Sequence, residues 1–175
     1  KSLEEFNQVY KKLGIKIDYT LGESFYEKRL SPLLEDLKKN KIAVKSRGAW
    51  VVPLGKNIPP ALIQKADGAT LYLTRDLAAL KYRISRFAPA RVIYHVGAEQ
   101  ELYFKQLFLV AEKMGLAKNI ELMFAGHGLI RLKEGKLSTR LGRTILLDDL
   151  IKEAVSRALR LLKEKNPKIP QKEKN

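Results

Sequence analysis

The chain has 175 residues, 45% of them hydrophobic, with no cysteine and only two histidines, and it carries a formal net charge of +15. That length and hydrophobic share suit one domain with a real core, so general disorder is excluded; disulfides and thiolate metal sites are excluded too, and His95 and His127 lie far apart in sequence, without zinc-ligand spacing. No apolar run approaches the roughly 18 residues of a membrane span and no signal peptide is visible, which places the chain in the cytoplasm; the charge attracts polyanions such as RNA, DNA, nucleotides or acidic lipid without choosing among them, and a solvated basic surface explains it as well.

Residues 3–13 put Leu3, Phe6, Val9 or Tyr10 and Leu13 at helical spacing, and Gly14 suits a C-terminal cap. "IKIDY" (15–19) alternates and reads as a strand or extended segment. Ser24 to Asn40 reads as a helix that Ser31-Pro32 can divide in two. "IAV" (42–44) and "AWVVPL" (49–54) flank "KSRG" as a β-hairpin, and "GKNIPP" (55–60) is a turn too rich in proline for a central strand. "GATLYL" (68–73) reads as a strand, and Arg75 to Phe87 as a helix with Thr74 as N-cap and Asp76 in its first turn. "RVIYHV" (91–96) is a largely apolar strand, residues 99–115 are a helix closed by Gly115, and "IELMFA" (120–125) is a third strand. "GLIRL" (128–132) reads as a fourth strand turned back on the third. The basic loop "KLSTRLGR" (136–143) follows, then an amphipathic helix from Leu147 to Lys163 and a charged tail (164–175).

Strand, helix, strand, helix, strand with short connections predicts an α/β fold: half of a Rossmann-like parallel sheet with flanking helices, plus an inserted helix and β-hairpin. Ligands of such sheets bind at the carboxyl ends of the strands. Those ends carry Tyr72, Asp76, Glu99 and Gln100, with Gly97 leaving room for a close backbone approach. A carboxylate beside neutral hydrogen-bonding groups suits a cationic, donor-rich ligand such as a guanidinium, an amine or a ribose. A purely structural role is the competing reading, since a carboxylate in the first turn of a helix is worth about 0.3–1 kcal/mol by itself. In the basic loop, Lys136 beside Ser138 and Thr139 can neutralise a polyphosphate, although short basic turns are common. The chain has neither a Walker A motif nor G-x-G-x-x-G.

Five segments in order, "LGESFYEKRL", "KADGATLYLTRDLAALKYR", "RVIYHVGAEQELYFKQLF", "FAGHGLIRL" and "KLSTRLGRTILLDDL", resemble arginyl-tRNA synthetase, a class I aminoacyl-tRNA synthetase. The second resembles that family's K-x-D-G-x-x-x-Y-x-T-R-D-x-A segment, and the last its K-M-S-K-S loop in a K-M-S-T-R form. The resemblance implies ATP-dependent activation of L-arginine to arginyl-adenylate and transfer to tRNA-Arg, with ATP taken as its Mg2+ complex and no protein-bound structural metal. It implies that Tyr72, Asp76 and Gln100 bind arginine. It implies that Gly97 and Glu99 lie near the ATP ribose, that Gly128 and Leu129 present backbone groups to adenine, and that Lys136 and Ser138 meet the triphosphate as the catalytic pair. It also implies a monomeric parent that stays off membranes.

Leu137 replaces the family's usual Met, Thr139 stands in place of the second loop Lys, and His127 falls where Phe is common. Tyr103 stands where the family commonly has His, and no role follows for it from the pattern. The class I H-I-G-H signature does not occur in these 175 residues. The expected organisation is therefore the second half of a catalytic domain: an insertion (1–67), the Rossmann-like half with the basic loop (68–146), and a helix leading towards an anticodon-binding domain (147–175). Such a fragment is expected to be inactive by itself. A non-catalytic basic RNA-binding module, or another class I synthetase, is the alternative.

Overall fold

The computed structural model describes residues 2–129, 131–132, 135–136 and 147–166. They form two compact units, Thr20–Leu129 and a second drawn from the described residues of 1–19 and 130–175. In chain order the helices are α1 (Ser2–Lys12), α2 (Glu27–Lys39), α3 (Tyr72–Phe87), α4 (Glu101–Lys113) and α5 (Leu147–Lys165). The strands are β1 (Val44–Ser46), β2 (Ala49–Val52), β3 (Ala61–Gln64), β4 (Arg91–Gly97), β5 (Glu121–His127), β6 (Arg131–Leu132) and β7 (Gly135–Lys136).

In the larger unit, a 3₁₀ turn at Glu23–Tyr26 leads into α2, which runs through Pro32 undivided. A proline inside a helix costs about 3 kcal/mol. Leu30, Leu33, Leu34 and Leu37 are all buried along α2, and each buried leucine contributes about 1.5–3 kcal/mol. The leucine stripe therefore outweighs the lost backbone bond. β1 and β2 form the expected hairpin, with Arg47 and Gly48 at φ 47 and 81. Two left-handed residues are what a primed two-residue turn requires. β3 was not expected. Pro59 and Pro60 precede its paired residues, Ala61 opposite Val52 and Leu62 opposite Val51, so the ladder asks no donor of them.

Residues 68–73 are not a strand. Thr70 makes only an isolated bridge to Gln64, and α3 starts at Tyr72 with Leu71 as its N-cap. Thr74 does not cap the helix; it is fully buried, and its hydroxyl donates to the Ile63 carbonyl at 2.5 Å. A short apolar run is ambiguous between strand and buried helix. Here the helical solution wins because it buries Leu73 on the same face as Leu77 and Leu80. Thr74→Val keeps the shape and strips that carbonyl of its donor, so it should lower stability by about 1–3 kcal/mol. Thr74→Ser should lose less in a side-by-side thermal melt.

β4 and β5 pair in parallel from Arg91 opposite Glu121 to Gly97 opposite His127, with α4 as their crossover. Among the described residues the parallel sheet therefore has two strands rather than three. α4 ends as expected: Gly115 takes φ 71, and the Leu116 N–H reaches back to the Ala111 carbonyl at 3.0 Å. The core joins Leu33, Leu37 and Ile63 to Leu77, Leu80, Leu107 and Val110, so α2 and β3 share one interior with α3 and α4. The fold class is the α/β arrangement that the pattern predicts.

In the second unit α1 closes at Gly14, φ 67, with the Ile15 N–H donating to the Tyr10 carbonyl at 2.8 Å. Residues 15–19 form no strand. Lys12 and Lys152 both pair with Asp148, which draws the Asp148 carboxyl down to about 2. β6 pairs with β7, Arg131 opposite Lys136, in a two-stranded sheet of its own rather than turning back on β5.

Candidate functional site

Tyr72 opens α3 and Asp76 lies four residues on, so both sit on one helical face. This replaces the expected strand end with the first turns of a helix. Tyr72 is 67% exposed, whereas Asp76 is half-buried. The Tyr103 hydroxyl, from the start of α4, donates to the Asp76 carboxylate and ties the two helices together at this point. Burial pushes the Asp76 carboxyl above the usual carboxylate range; the Tyr103 hydrogen bond and the Arg83 charge hold it back, and Glu23 adds to the rise. Tyr103 is pushed up, first by burial and then by its bond to Asp76.

Two further groups lie within electrostatic reach of Asp76, Tyr94 and Glu23, neither of them read as a site residue from the sequence. Tyr94, under the Arg83 guanidinium at 5.9 Å, is pushed up to about 12 by burial. Its hydroxyl and that of Tyr26 are buried with no regular hydrogen bond; Arg83 draws Tyr94 back a little by its charge but lies outside regular bonding geometry. Glu23 begins the 3₁₀ turn and is only loosely held by Arg75, at 3.8 Å. The available signals were the LGES stretch for Glu23 and the three-residue spacing from Gln100 for Tyr103.

Gln100 is exposed at the end of a 3₁₀ turn, Ala98–Gln100, between β4 and α4. Gly97 is buried at the carboxyl end of β4, and the exposed Glu99 folds its carboxylate back over it: a Cβ on Gly97 would stand 2.6 Å from either Glu99 oxygen. Gly128 and Leu129 follow the carboxyl end of β5, both exposed. Gly97, Glu99, Gly128 and Leu129 thus share the carboxyl edge of the parallel pair. Gly126, missed in the sequence, lets β5 approach the 3₁₀ turn; a Cβ there would stand 3.2 Å from the Ala98 Cα and 2.8 Å from Phe124. His95 and His127, distant in sequence, stack at 4.9 Å on this edge. Lys136 is placed only by its backbone in β7, and Ser138 lies outside the described residues. Among the described residues no three His, Cys, Asp or Glu side chains gather as a metal site, and no helix is long and apolar enough to cross a membrane.

Tyr103→Phe removes a hydrogen bond to the charged form of Asp76. The Asp76 midpoint should therefore rise in an NMR carboxyl titration, and Tyr103→His, which keeps a donor, should bring it back down. An unchanged midpoint in Tyr103→Phe would show that the bond is idle.

Over residues 1–175 the chain matches the family model described as tRNA synthetases class I (R), catalytic domain. It is 44% identical over 173 residues to an arginine–tRNA ligase of Clostridium acetobutylicum, and 46% identical over 173 residues to one of Levilactobacillus brevis. Each match covers 98% of this chain and 31% of the relative, so the chain spans about a third of their length. Among solved structures it is similar to the arginyl-tRNA synthetase of Plasmodium falciparum, with TM-score 0.78 and 32% identity, over 94% of this chain and 27% of that one. It is also similar to a putative arginyl-tRNA synthetase of Campylobacter jejuni, with TM-score 0.65 and 27% identity, over 83% of this chain and 33% of that one.

Proposed function

The chain belongs to the class I (R) tRNA synthetase catalytic-domain family, and from that premise we propose that it forms the second half of the catalytic domain of an arginine–tRNA ligase. The observation that carries the amino-acid assignment is the half-buried Asp76, on one helical face with Tyr72 and held by Tyr103, with Glu23 nearby. A carboxylate kept partly out of water gains most from a cation that arrives with directed donors. A guanidinium supplies five in a planar fork, where an ammonium is a point charge. Tyr72 and Gln100 offer oxygens to the donors that remain. A basic RNA-binding module would leave this constellation without a purpose.

ATP, as its Mg2+ complex, is assigned to the carboxyl edge of the parallel pair. Gly97 and Glu99 serve the ribose, and the backbone at Gly128 and Leu129 serves adenine. The ion travels with the phosphates, whose oxygens are the hard ligands that Mg2+ prefers. In the reaction an arginine carboxylate oxygen bonds to the α-phosphorus and pyrophosphate leaves. Lys136 and Ser138 are assigned to the charge that grows on the leaving group, a role worth about a hundred- to a thousandfold in rate for a single donor of this kind. Transfer of the arginyl group to tRNA-Arg follows.

Amino-acid-dependent ATP–pyrophosphate exchange tests the reading. In an arginine–tRNA ligase of full length that carries this sequence, arginine alone should drive exchange, and Lys136→Ala should suppress it. The 175 residues by themselves should give none. Exchange driven as well by lysine or glutamine would overturn the amino-acid assignment.

A further inference from the structure

We propose that the groove between α2 and α3 docks the phosphodiester backbone of RNA. It has a volume of about 490 Å³ and is lined by Lys28 and Arg29 from α2 and by Lys81 and Arg86 from α3, over a floor that includes Pro32 and Tyr82. None of these residues belongs to the arginine or ATP assignments. Two helices thus present two rows of cations to one channel. Among the described residues a single carboxylate, Asp36, answers them, and it is taken by Lys81 at 2.7 Å.

Arg29 distinguishes this groove from an ordinary basic surface. Its guanidinium carbon lies 4.7 Å from the Phe25 ring centroid and 4.8 Å from that of Tyr82, and one Nη donates to the Phe25 carbonyl at 3.0 Å. The two rings meet edge to face at 5.0 Å, which fixes the slot that holds it. A guanidinium held this way has already lost the rotamer freedom that a free arginine gives up on binding, and its remaining N–H groups keep the fork that matches phosphate oxygens. No carboxylate among the described residues engages it. A fixed fork flanked by flexible ammonium groups suits successive phosphates along a chain better than it suits a single small anion. The choice of RNA among polyanions rests on the proposed function.

The test is fluorescence anisotropy of a labelled tRNA-Arg transcript, titrated at several KCl concentrations against the original chain and K28Q/R29Q/R86Q. Lys81 is kept for its pair with Asp36. The triple variant should bind at least about tenfold more weakly at low salt, and its log–log salt slope should fall by roughly 2–3, at about 0.7–0.9 for each phosphate that is no longer neutralised. Arg29→Lys, which keeps the charge and gives up the planar fork, should bind measurably more weakly with little change in slope, and its circular dichroism and melting temperature report whether the fold survives. Unchanged affinity and slope in the triple variant would overturn the proposal. So would a polyglutamate peptide whose binding is lost in the triple variant while RNA binding stays intact. Arginine binding, measured in parallel by calorimetry, should be the same in both proteins; its absence from both would count against the arginine assignment and leave the RNA result standing.

Discussion

Asp76→Asn should weaken arginine binding severely while leaving the unliganded protein at least as stable as before. Burial is the largest influence on Asp76, and it disfavours the charged form. The folded-state pKa is therefore raised above the unfolded value. Such a carboxyl is best accommodated at low pH, and its contribution to stability declines as pH rises from the unfolded pKa through the folded one. Asparagine removes the charge, keeps an oxygen for the Tyr103 hydroxyl, and escapes that decline. Binding has the opposite sign. A guanidinium needs the ionised carboxylate, so arginine affinity should climb with pH through the raised Asp76 pKa and then level off, with proton release on binding in that window. Losing one member of a desolvated, hydrogen-bonded charge pair costs about 2–5 kcal/mol, which is roughly thirty- to several-thousandfold in affinity. Isothermal titration across pH, beside thermal melts of both proteins, reads both effects. An asparagine variant that binds arginine as tightly as the original would remove Asp76 from the site.

Leu77→Ala should lower stability far more than a truncation at the surface. Leu77 is fully buried in α3, one residue from Asp76, within the shared interior that also holds Leu33, Ile63 and Leu107. A well-packed leucine truncated to alanine loses about 2–5 kcal/mol, the spread reflecting how far the neighbours close the hole. At this size that is a fall of roughly 10 °C in melting temperature. Leu102→Ala is the control, since Leu102 is 52% exposed and its loss leaves no cavity. Similar melting temperatures for the two variants would mean that α3 is not packed as described.

The legible parts of the fold are those with one strong local signal. Gly14 and Gly115 mark helix ends because each takes a left-handed φ, and the parallel strands β4 and β5 are largely apolar runs joined through α4. What was not legible is decided by partners distant in sequence. "GATLYL" has the composition of a strand, and only the seat of Thr74 on Ile63 and the burial of Leu73 beside Leu77 make its end a helix. β3 hid behind two prolines whose missing donors do not matter at that place. Of the candidate site, the Tyr72–Asp76 spacing was visible, but its meaning was mistaken: two strand-end positions proved to be one turn of helix. Tyr103 and Glu23 left only faint traces, the three-residue spacing from Gln100 and the LGES stretch, because nothing local points a phenol of α4 or a turn carboxylate at α3. The juxtaposition of His95 and His127 depends wholly on the register of β4 against β5.

Because Tyr72 and Asp76 share a face only through the pitch of α3, the segment between them works as a ruler. Each residue advances a helix by about 100°. One residue inserted or deleted there would swing Tyr72 to a different side while Asp76 stayed fastened to Tyr103. Tolerance at Leu73, Thr74 and Arg75 is thus of two kinds: identity is limited by what the interior accepts, but length is not negotiable at all. A library that varies those three residues should yield binders, and one that varies their number should yield none.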